Sequence, residues 1–162
     1  MRNIVLARVD DRLIHGEVVT AWTPSLSANR IVIVDDTVAA DKFNKRVLMA
    51  LAPQGTKVAV LSVEGATKAL QKPDPGNERV IVLTKTPIVF EQLLDGGVEI
   101  KEVCLGGMGI RGDRKPFINN VSASPDEVDS IRVEIEDNGK GIAAKDLGNI
   151  FERFYRTDAS RN

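Results

Sequence analysis

The chain has 162 residues, of which 43% are hydrophobic and 28% charged, which is the composition of an ordinary globular domain. Its formal net charge of −1 gives no global basic field, so we expect no nucleic-acid partner. One cysteine, Cys104, excludes an internal disulfide and suits a reducing compartment. The first apolar run is too short for a signal peptide or a membrane span. We therefore expect a cytoplasmic protein.

Five nearly continuous apolar, β-branched segments recur along the chain. They are Ile4 to Val9, Arg30 to Val34, Lys57 to Leu61, Arg79 to Leu83 and Ile100 to Leu105. Such runs are typical of strands that are covered on both faces. The segments between them have helical spacing, as in the stripes Val18, Trp22 and Leu26, and Phe43, Val47 and Leu51. The alternation predicts an α/β fold with a doubly wound, mainly parallel sheet and helices on both faces.

The character of the sequence changes after about residue 127. Ser124 and Pro125 have the pattern of a helix start, but no apolar helical stripe follows them. Residues 131–135 alternate like a strand with one solvent-facing side. A glycine-containing turn and an amphipathic helix over about 144–156 follow. We therefore predict that a C-terminal strand and helix close the sheet.

The segment from Arg8 to Glu17 joins the first predicted strand to the first predicted helix. In open parallel sheets, ligands bind at the carboxyl ends of the strands, next to helix N-termini. His15 would lie there, followed by the free N–H groups of Gly16 and Glu17. These donors and the helix dipole favour an anion such as a phosphoryl group.

Two arginines and two aspartates in the same segment complete a candidate site. Arg8 and Arg12 can grip phosphate oxygens with their planar guanidinium groups. Asp10, or Asp11 beside it, can hydrogen-bond one ring nitrogen of His15 and so leave the other free to attack phosphorus. Histidine suits this chemistry because its nitrogen is nucleophilic at neutral pH.

The residues alone leave other interpretations open. A lone histidine near a helix start is more often an ordinary polar surface residue. A metal site is not favoured, since the chain has no second histidine and Cys104 is distant in sequence. A serine hydrolase is not favoured either, because no nucleophile elbow is present. We expect no metal and no cofactor.

The segment Arg8-Val-Asp-Asp-Arg-Leu-Ile-His-Gly16, with Val18-Val-Thr-Ala-Trp22, resembles the phosphorylation-site signature of one family. This is the family of IIB components of the mannose/fructose/sorbose class of sugar phosphotransferase systems. The likeness continues through Lys45-Arg-Val-Leu-Met-Ala-Leu-Ala-Pro53 and Gly106-Gly-Met108, and ends near residue 125. We take residues 1–127 as the IIB-like segment.

The resemblance implies an activity and partners. His15 would accept phosphate from a IIA phosphohistidine and pass it to a sugar held by the membrane IIC/IID permease. Such a protein would be cytoplasmic and peripheral at the membrane. The resemblance also matches Arg12 to the arginine of the active loop and puts the glycine-rich loop 106–109 near the active face. In one departure from the family, Glu17 stands where glutamine is usual, and its carboxylate would repel phosphate unless protonated or turned away.

Residues 131–142 and 146–156 resemble part of the ATP-binding domain of sensor histidine kinases. In that family the aspartate matching Asp137 binds the adenine amino group, and Gly139 and Gly141 let the nucleotide approach the backbone. The magnesium-binding helix and the second glycine box are missing, so we do not expect ATP to bind. We interpret residues 128–162 as a foreign segment packed into the same domain, which makes the chain a chimera. Two alternatives to the carrier role remain: a chimeric scaffold with little activity, and a partial nucleotide-binding module.

Overall fold

The computed structural model describes residues 1–135 of the chain, and the side chains of residues 1–131. The first helix, α1, spans residues 16–25; it contains a π-helical stretch, Val18–Trp22, and ends in an α-helical turn, Thr23–Ser25. The other elements, in chain order, are β1 (Ile4–Val9, before α1), β2 (Arg30–Val34), α2 (Asp36–Ala40), α3 (Lys42–Ala50), β3 (Lys57–Leu61), α4 (Val63–Leu70), β4 (Val80–Thr84), α5 (Pro87–Asp95), β5 (Cys104–Leu105), β6 (Lys115–Ile118), β7 (Val121–Ala123) and α6 (Pro125–Ile135).

The main sheet has five strands in the order β3-β2-β4-β1-β5, and every neighbouring pair is parallel. The predicted α/β fold with a mainly parallel sheet is confirmed. The three strands nearest the N-terminus have the predicted bounds, β4 is shifted by one residue, and β5 covers only the last two residues of its predicted segment. All five carboxyl ends lie at one edge of the sheet, because the strands are parallel.

A hydrophobic core lies on each face of the sheet. One core joins the sheet to α4, α5 and α6, and its fully buried members include Phe90, Leu93 and Ile131. The other joins the sheet to α1 and α2, and it includes Val18 and Trp22. Alternate residues of one strand therefore enter different cores. This is why the strand sequences are apolar at successive positions.

Helix α3 is present where its periodicity predicts it, but its apolar stripe is not in the core. Phe43 is 73% exposed, and Val47 and Leu51 are also exposed. The helix packs beside β3, which is an edge strand of the sheet. Helical spacing thus predicted the element correctly without indicating which side is buried. Over residues 1–135, no helix has both the length and the apolar content that a membrane crossing needs.

A two-stranded antiparallel hairpin, β6–β7, lies in a segment for which the sequence predicted no strand. Asn120 adopts the left-handed conformation, with φ of +60°, at the turn between the two strands. Pro116 and Lys115 conceal the strand pattern of β6, and this strand is mostly exposed.

The predicted strand over residues 131–135 is wrong, because α6 continues to Ile135. A capping box starts this helix. The Ser124 hydroxyl accepts from the Glu127 N–H at 3.2 Å, and the Glu127 carboxylate accepts from the Ser124 N–H at 2.9 Å. Val128 and Ile131 then lie one turn apart and contact the core that contains α5. Capping and burial together outweigh the short β-like alternation. The helix crosses the predicted boundary between residues 127 and 128 without interruption.

A buried ion pair attaches α6 to the segment that precedes the hairpin. The Arg114 Nε atom lies 2.9 Å from Glu127 Oε2, and Arg114 Nη2 lies 2.7 Å from Glu127 Oε1. The two side chains are 4% and 6% exposed. Burial acts to raise the pKa of Glu127, but hydrogen bonds from Arg114 and Ser124 outweigh it and hold that pKa below its ordinary value.

We expect Ile131→Ala to lower the free energy of unfolding by about 2–5 kcal/mol, because it removes a buried aliphatic side chain from a packed core. Phe43→Ala is the control. Its side chain is largely exposed, so we expect a change within about 0.5 kcal/mol. Urea unfolding followed by circular dichroism measures both. Equal stabilities for the Ile131→Ala variant and the wild type would show that α6 does not pack as described.

We expect Glu127→Gln to cost about 3 kcal/mol at neutral pH, because it leaves a buried arginine without one of its carboxylates. The ionised Glu127 carboxylate stabilises the folded state fully at pH values above its pKa in the unfolded state, about 4.3. Because its pKa is lower in the folded state, this stabilisation is lost as the pH falls through the folded-state pKa. The stability difference from the wild type should therefore shrink below about pH 4. Urea titrations at several pH values measure it, with the exposed Glu99→Gln as control. A difference that is constant with pH would contradict the assignment.

Candidate functional site

The candidate site lies where the carboxyl ends of β1, β4 and β5 meet. The Asp10 N–H donates to the Thr84 carbonyl at 2.8 Å, which ties the end of β1 to the end of β4. The Gly106 N–H donates to the Val9 carbonyl at 2.7 Å, which ties in the end of β5. The sequence predicted a site at this edge of the sheet, and the residues of the histidine loop, 8–17, do lie here.

A fully buried carboxylate, that of Asp10, is at the centre of the site. Its Oδ2 atom lies 3.1 Å from His15 Nε2 and 3.1 Å from Arg8 Nη2. Its Oδ1 atom accepts from Arg12 Nε at 2.9 Å and from the Arg12 backbone N–H at 3.1 Å. Burial acts to raise the pKa of Asp10, but the bonds from Arg12 and the charges of Arg8 and His15 outweigh it, so this pKa lies far below its usual range. Asp10 is therefore ionised at neutral pH.

His15 stands at the start of α1. Its carbonyl accepts from the Val19 N–H at 3.0 Å, so the helix begins at this residue. The His15 side chain is 14% exposed, and its Nε2 atom is the one that faces Asp10. Nδ1 is consequently the other nitrogen, the one available for chemistry. At Gly16, a Cβ atom would meet nothing within 4 Å, so open space lies beside the histidine.

The two arginines of the loop have different surroundings. The Arg12 side chain is 55% exposed although two of its nitrogens bind Asp10. The Arg8 side chain is 7% exposed, and Arg8 Nη1 lies 3.4 Å from Cys104 Sγ. The Arg8 guanidinium carbon lies 5.5 Å from the centre of the Trp22 ring. Arg12 thus has a solvent-facing side, whereas Arg8 is held inside the protein beside Asp10.

The π-helical stretch of α1 contributes to this arrangement. The Val18 carbonyl accepts from the backbone N–H of Thr23, five residues on, and also from the Thr23 hydroxyl at 2.7 Å. The wider turn brings Trp22, which is 5% exposed, into the core near Arg8. Isolated π-helical turns are often found next to functional sites.

Glu17 lies close enough to Arg12 for its charge to act there. The hydrogen bond with Asp10 is the main cause that raises the pKa of Arg12, and the charges of Asp10 and Glu17 add to it.

Cys104 is not an activated thiol, since burial raises its pKa despite the nearby charge of Arg8. Among residues 1–135, no three His, Cys, Asp or Glu side chains form a group that could hold a metal ion.

The glycine-rich loop 106–109 packs directly on the charged centre. A Cβ atom at Gly106 would lie 2.5 Å from the Arg8 guanidinium carbon. A Cβ atom at Gly107 would lie 3.3 Å from Asp10 Oδ1 and 3.4 Å from Arg12 Nη2. Any side chain at Gly106 would collide with Arg8, so glycine is needed for this close approach.

A second carboxylate, Asp11, holds this loop in place. Asp11 Oδ2 accepts from the Gly109 N–H at 2.8 Å, and the Asp11 N–H donates to the Gly107 carbonyl at 2.8 Å. Arg111 Nη2 lies 3.0 Å from Asp11 Oδ1, and Arg114 Nη1 lies 2.9 Å from Asp11 Oδ2. Sequence reasoning missed Arg111 and Arg114. They are about 100 residues away from Asp11 in a segment with no recognisable pattern, so no local signal could have identified them.

The predicted nucleotide-binding residues Asp137, Gly139 and Gly141 lie outside the described residues. Their proposed role stays a prediction from the sequence.

Comparison with known proteins identifies the family of the chain. The family described as "PTS system sorbose subfamily IIB component" matches residues 4–149. The sorbose-specific EIIB component of Klebsiella pneumoniae is 37% identical over 159 residues, which cover 95% of this chain and 96% of that protein. The crystal structure of the IIBSor domain of the sorbose permease from the same organism superposes with a TM-score of 0.75 at 37% identity, over 81% of this chain and 80% of that one.

The mannose-specific EIIAB component of Escherichia coli K12 is 38% identical over 139 residues. They cover 86% of this chain but only 42% of that protein, so the chain spans about two fifths of its length. The family match crosses the predicted boundary at residues 127/128, and these matches give no support to a histidine-kinase segment or a chimera. The chain belongs to the sorbose subfamily of IIB components of the sugar phosphotransferase systems.

Proposed function

We propose that the chain is a phosphoryl carrier of a sugar phosphotransferase system. His15 accepts phosphate from the phosphohistidine of a IIA protein or domain and passes it to a sugar bound by a membrane IIC/IID permease. The observation that carries the proposal is the contact of 3.1 Å between His15 Nε2 and the buried carboxylate of Asp10. It is supported by membership of a family whose members are named as components of sugar-specific systems.

Asp10 fixes the tautomer of His15. An ionised carboxylate is only an acceptor, so the ring nitrogen that faces it carries the proton. The Nε2–H group then donates to Asp10 Oδ2, and Nδ1 keeps its lone pair. A neutral imidazole with one free lone pair is the nucleophilic form of histidine. We therefore assign Asp10 and Arg12 to the catalytic set together with His15. Asp10 acts on the histidine ring, and Arg12 binds the phosphoryl group.

The first transfer exchanges one N–P bond for another. The Nδ1 lone pair of His15 attacks phosphorus, and the bond between phosphorus and the donor imidazole breaks with its electron pair returning to the donor nitrogen. The donor ring carries a proton on its other nitrogen, so it leaves as neutral imidazole, and the His15 ring becomes a cation that carries both the phosphoryl group and the Nε2 proton. Asp10, already ionised, stabilises this positive charge without any proton transfer.

The phosphoryl oxygens also need partners. Arg12 offers the solvent-facing part of its guanidinium group, and the N–H groups at the start of α1, from Gly16 and Glu17, add the positive end of the helix dipole. We assign Arg8 a supporting role, because its buried guanidinium group binds Asp10. Phosphoryl transfer depends mainly on alignment and charge stabilisation, and these groups supply both.

In the second transfer, a sugar hydroxyl oxygen attacks the phosphorus on His15. The O–P bond forms, the N–P bond breaks, and Nδ1 recovers its lone pair. The hydroxyl proton passes to a base on the permease or to water. The sequence does not determine the sugar, because in the family that the chain resembles specificity belongs largely to the permease. Docking on that permease would place the protein at the cytoplasmic face of the membrane.

The alternatives from the sequence are a chimeric scaffold of low activity and a partial nucleotide-binding module. The nucleotide-binding alternative depends on Asp137, Gly139 and Gly141, which lie beyond the part of the chain that the structure describes. The chimeric scaffold depends on a boundary at residues 127/128, which both α6 and the family match cross. The described residues favour the carrier, since they bring the complete histidine loop and the glycine-rich loop together around one buried carboxylate. ATP has no part in the proposed function.

We expect incubation with a phosphorylated IIA protein to add one acid-labile phosphoryl group to His15, which tandem mass spectrometry under neutral conditions can locate. His15→Ala should carry none. Asp10→Asn should slow the transfer by roughly 10–100-fold, because an amide neither fixes the tautomer nor stabilises the charged ring. Circular dichroism checks that each variant is folded. A folded wild-type chain that gains no phosphate on His15 from a competent donor would overturn the proposal.

We expect Glu17→Gln to accept phosphate faster, by about fivefold. The change removes roughly 1 kcal/mol of repulsion between the Glu17 carboxylate and the incoming phosphoryl group, and it frees Arg12 from a competing anion. Rapid-quench measurement of the phosphorylation rate tests this. Glu99→Gln removes the same charge from the connection that leads into β5 and should leave the rate unchanged. Equal rates for Glu17→Gln and the wild type would contradict the prediction.

A further inference from the structure

We propose that Arg114 is a positioning residue for phosphoryl transfer: it holds the glycine-rich loop 106–109 in register against Asp10 and Arg12. This inference rests on the proposed carrier function of His15. It concerns a side chain that neither contacts the histidine nor belongs to the histidine loop.

Arg114 is placed to connect two separate carboxylates. Its Nη1 atom binds both oxygens of Asp11, at 3.0 and 2.9 Å, and its Nε and Nη2 atoms bind Glu127. The same guanidinium group reaches the Gly109 carbonyl at 3.3 Å and the Lys85 carbonyl at 3.4 Å. Its side chain is 4% exposed. All three guanidinium nitrogens are therefore used within the protein, and the group is not available to a ligand.

The consequence for the site passes through Asp11. This carboxylate accepts from Arg114 on one side and from the Gly109 N–H on the other, while the Asp11 backbone binds the Gly107 carbonyl. The loop is thereby held to Asp11 at two positions, Gly107 and Gly109. A Cβ atom added at Gly107 would lie 3.3 Å from Asp10 Oδ1 and 3.4 Å from Arg12 Nη2, so the loop backbone passes close to this pair. A shift of the loop would thus open or compress the Asp10–Arg12 pair.

Arg114 also separates two neighbouring charges. Asp10 and Asp11 are adjacent in sequence, but their carboxylates bind different arginines. Because Arg111 and Arg114 bind Asp11, its charge is satisfied away from the histidine. The Asp10 carboxylate binds the histidine ring and Arg12. Without Arg114, Asp11 would lose one of its two arginine partners.

Glu127 in turn orients Arg114. Its two oxygens bind the Nε and Nη2 edge of the guanidinium group, so Nη1 is directed at Asp11. Glu127 is itself fixed by the capping box with Ser124 at the start of α6. A helix start outside the histidine loop is in this way connected to the site through two buried side chains.

The test compares two glutamates that each bind arginine: Glu127, which binds Arg114, and Glu78, which binds Arg2 and Arg30. Glu127→Gln weakens the binding of Arg114 and substitutes no residue of the site itself. The control, Glu78→Gln, weakens a similar arrangement, since Glu78 binds Arg2 at 2.7 Å and Arg30 at 3.0 Å. Arg2 precedes β1 and Arg30 begins β2, so the control lies at the amino edge of the sheet, opposite the site. Both variants should unfold at lower urea concentration than the wild type.

We expect Glu127→Gln to lower kcat for phosphorylation of His15 by a phosphorylated IIA protein by roughly 10–100-fold, with KM for that donor unchanged. Glu78→Gln should keep the wild-type kcat. Arg114→Lys, which keeps a cation but cannot bind two carboxylates in fork geometry, should behave like Glu127→Gln. A folded Glu127→Gln or Arg114→Lys variant with the wild-type kcat would overturn the inference, as would an equal loss in Glu78→Gln.

A second measurement separates this inference from the proposed function. In ¹H–¹⁵N spectra, the Nε–H group of Arg12 should exchange with solvent faster in Glu127→Gln than in the wild type or in Glu78→Gln, because its bond to Asp10 loosens. This readout needs no phosphoryl donor. If the wild type accepts no phosphate but the exchange changes as expected, the carrier function fails and the positioning role stands. Unchanged exchange in Glu127→Gln would contradict the positioning role directly.

Discussion

A single buried charge, the carboxylate of Asp10, determines how the rest of the site is arranged. A carboxylate without exposed surface is stable only if ionic or hydrogen-bonding partners replace the water that it has lost. Here two arginines, a backbone N–H and a histidine ring do so. Each of these groups is thereby fixed in one orientation. The same contacts keep Asp10 ionised, which is the state that the proposed phosphohistidine at His15 would require.

The sheet makes this cluster possible. Parallel strands end at a common edge, so the segments after β1, β4 and β5 converge although they are distant in sequence. The backbone after β5 then approaches so closely that only glycine fits at position 106 against Arg8. Burial of the charged centre therefore depends on a loop that has glycine beside Arg8 and Asp10, and that loop depends on Asp11 and Arg114 for its position.

Sequence reasoning succeeded where a regular pattern or a local cluster carries the information. Continuous apolar runs predicted the strands of the main sheet, and the histidine loop predicted the edge of that sheet at which the charged residues lie. It fails at α6: Ser124 and Pro125 indicate a helix start, but as long as Glu127 is not identified as the second half of a capping box, the alternation of residues 131–135 indicates a strand. It also missed Arg114, whose importance comes from two contacts, one of them 103 residues away, which no periodicity can reveal.

The failure at α6 and the omission of Arg114 have the same physical origin. Glu127 is at once the capping residue that starts the helix and the carboxylate that orients Arg114. A buried ion pair of this kind is not needed for stability, since well-packed apolar side chains would often serve equally well. The Arg114–Glu127 pair is better explained by the orientation that it gives to Arg114. An apolar pair could hold α6 in place, but it could not direct a guanidinium nitrogen at Asp11. The start of α6 therefore belongs functionally to the site, although the boundary that the sequence predicts at residues 127/128 runs through this helix.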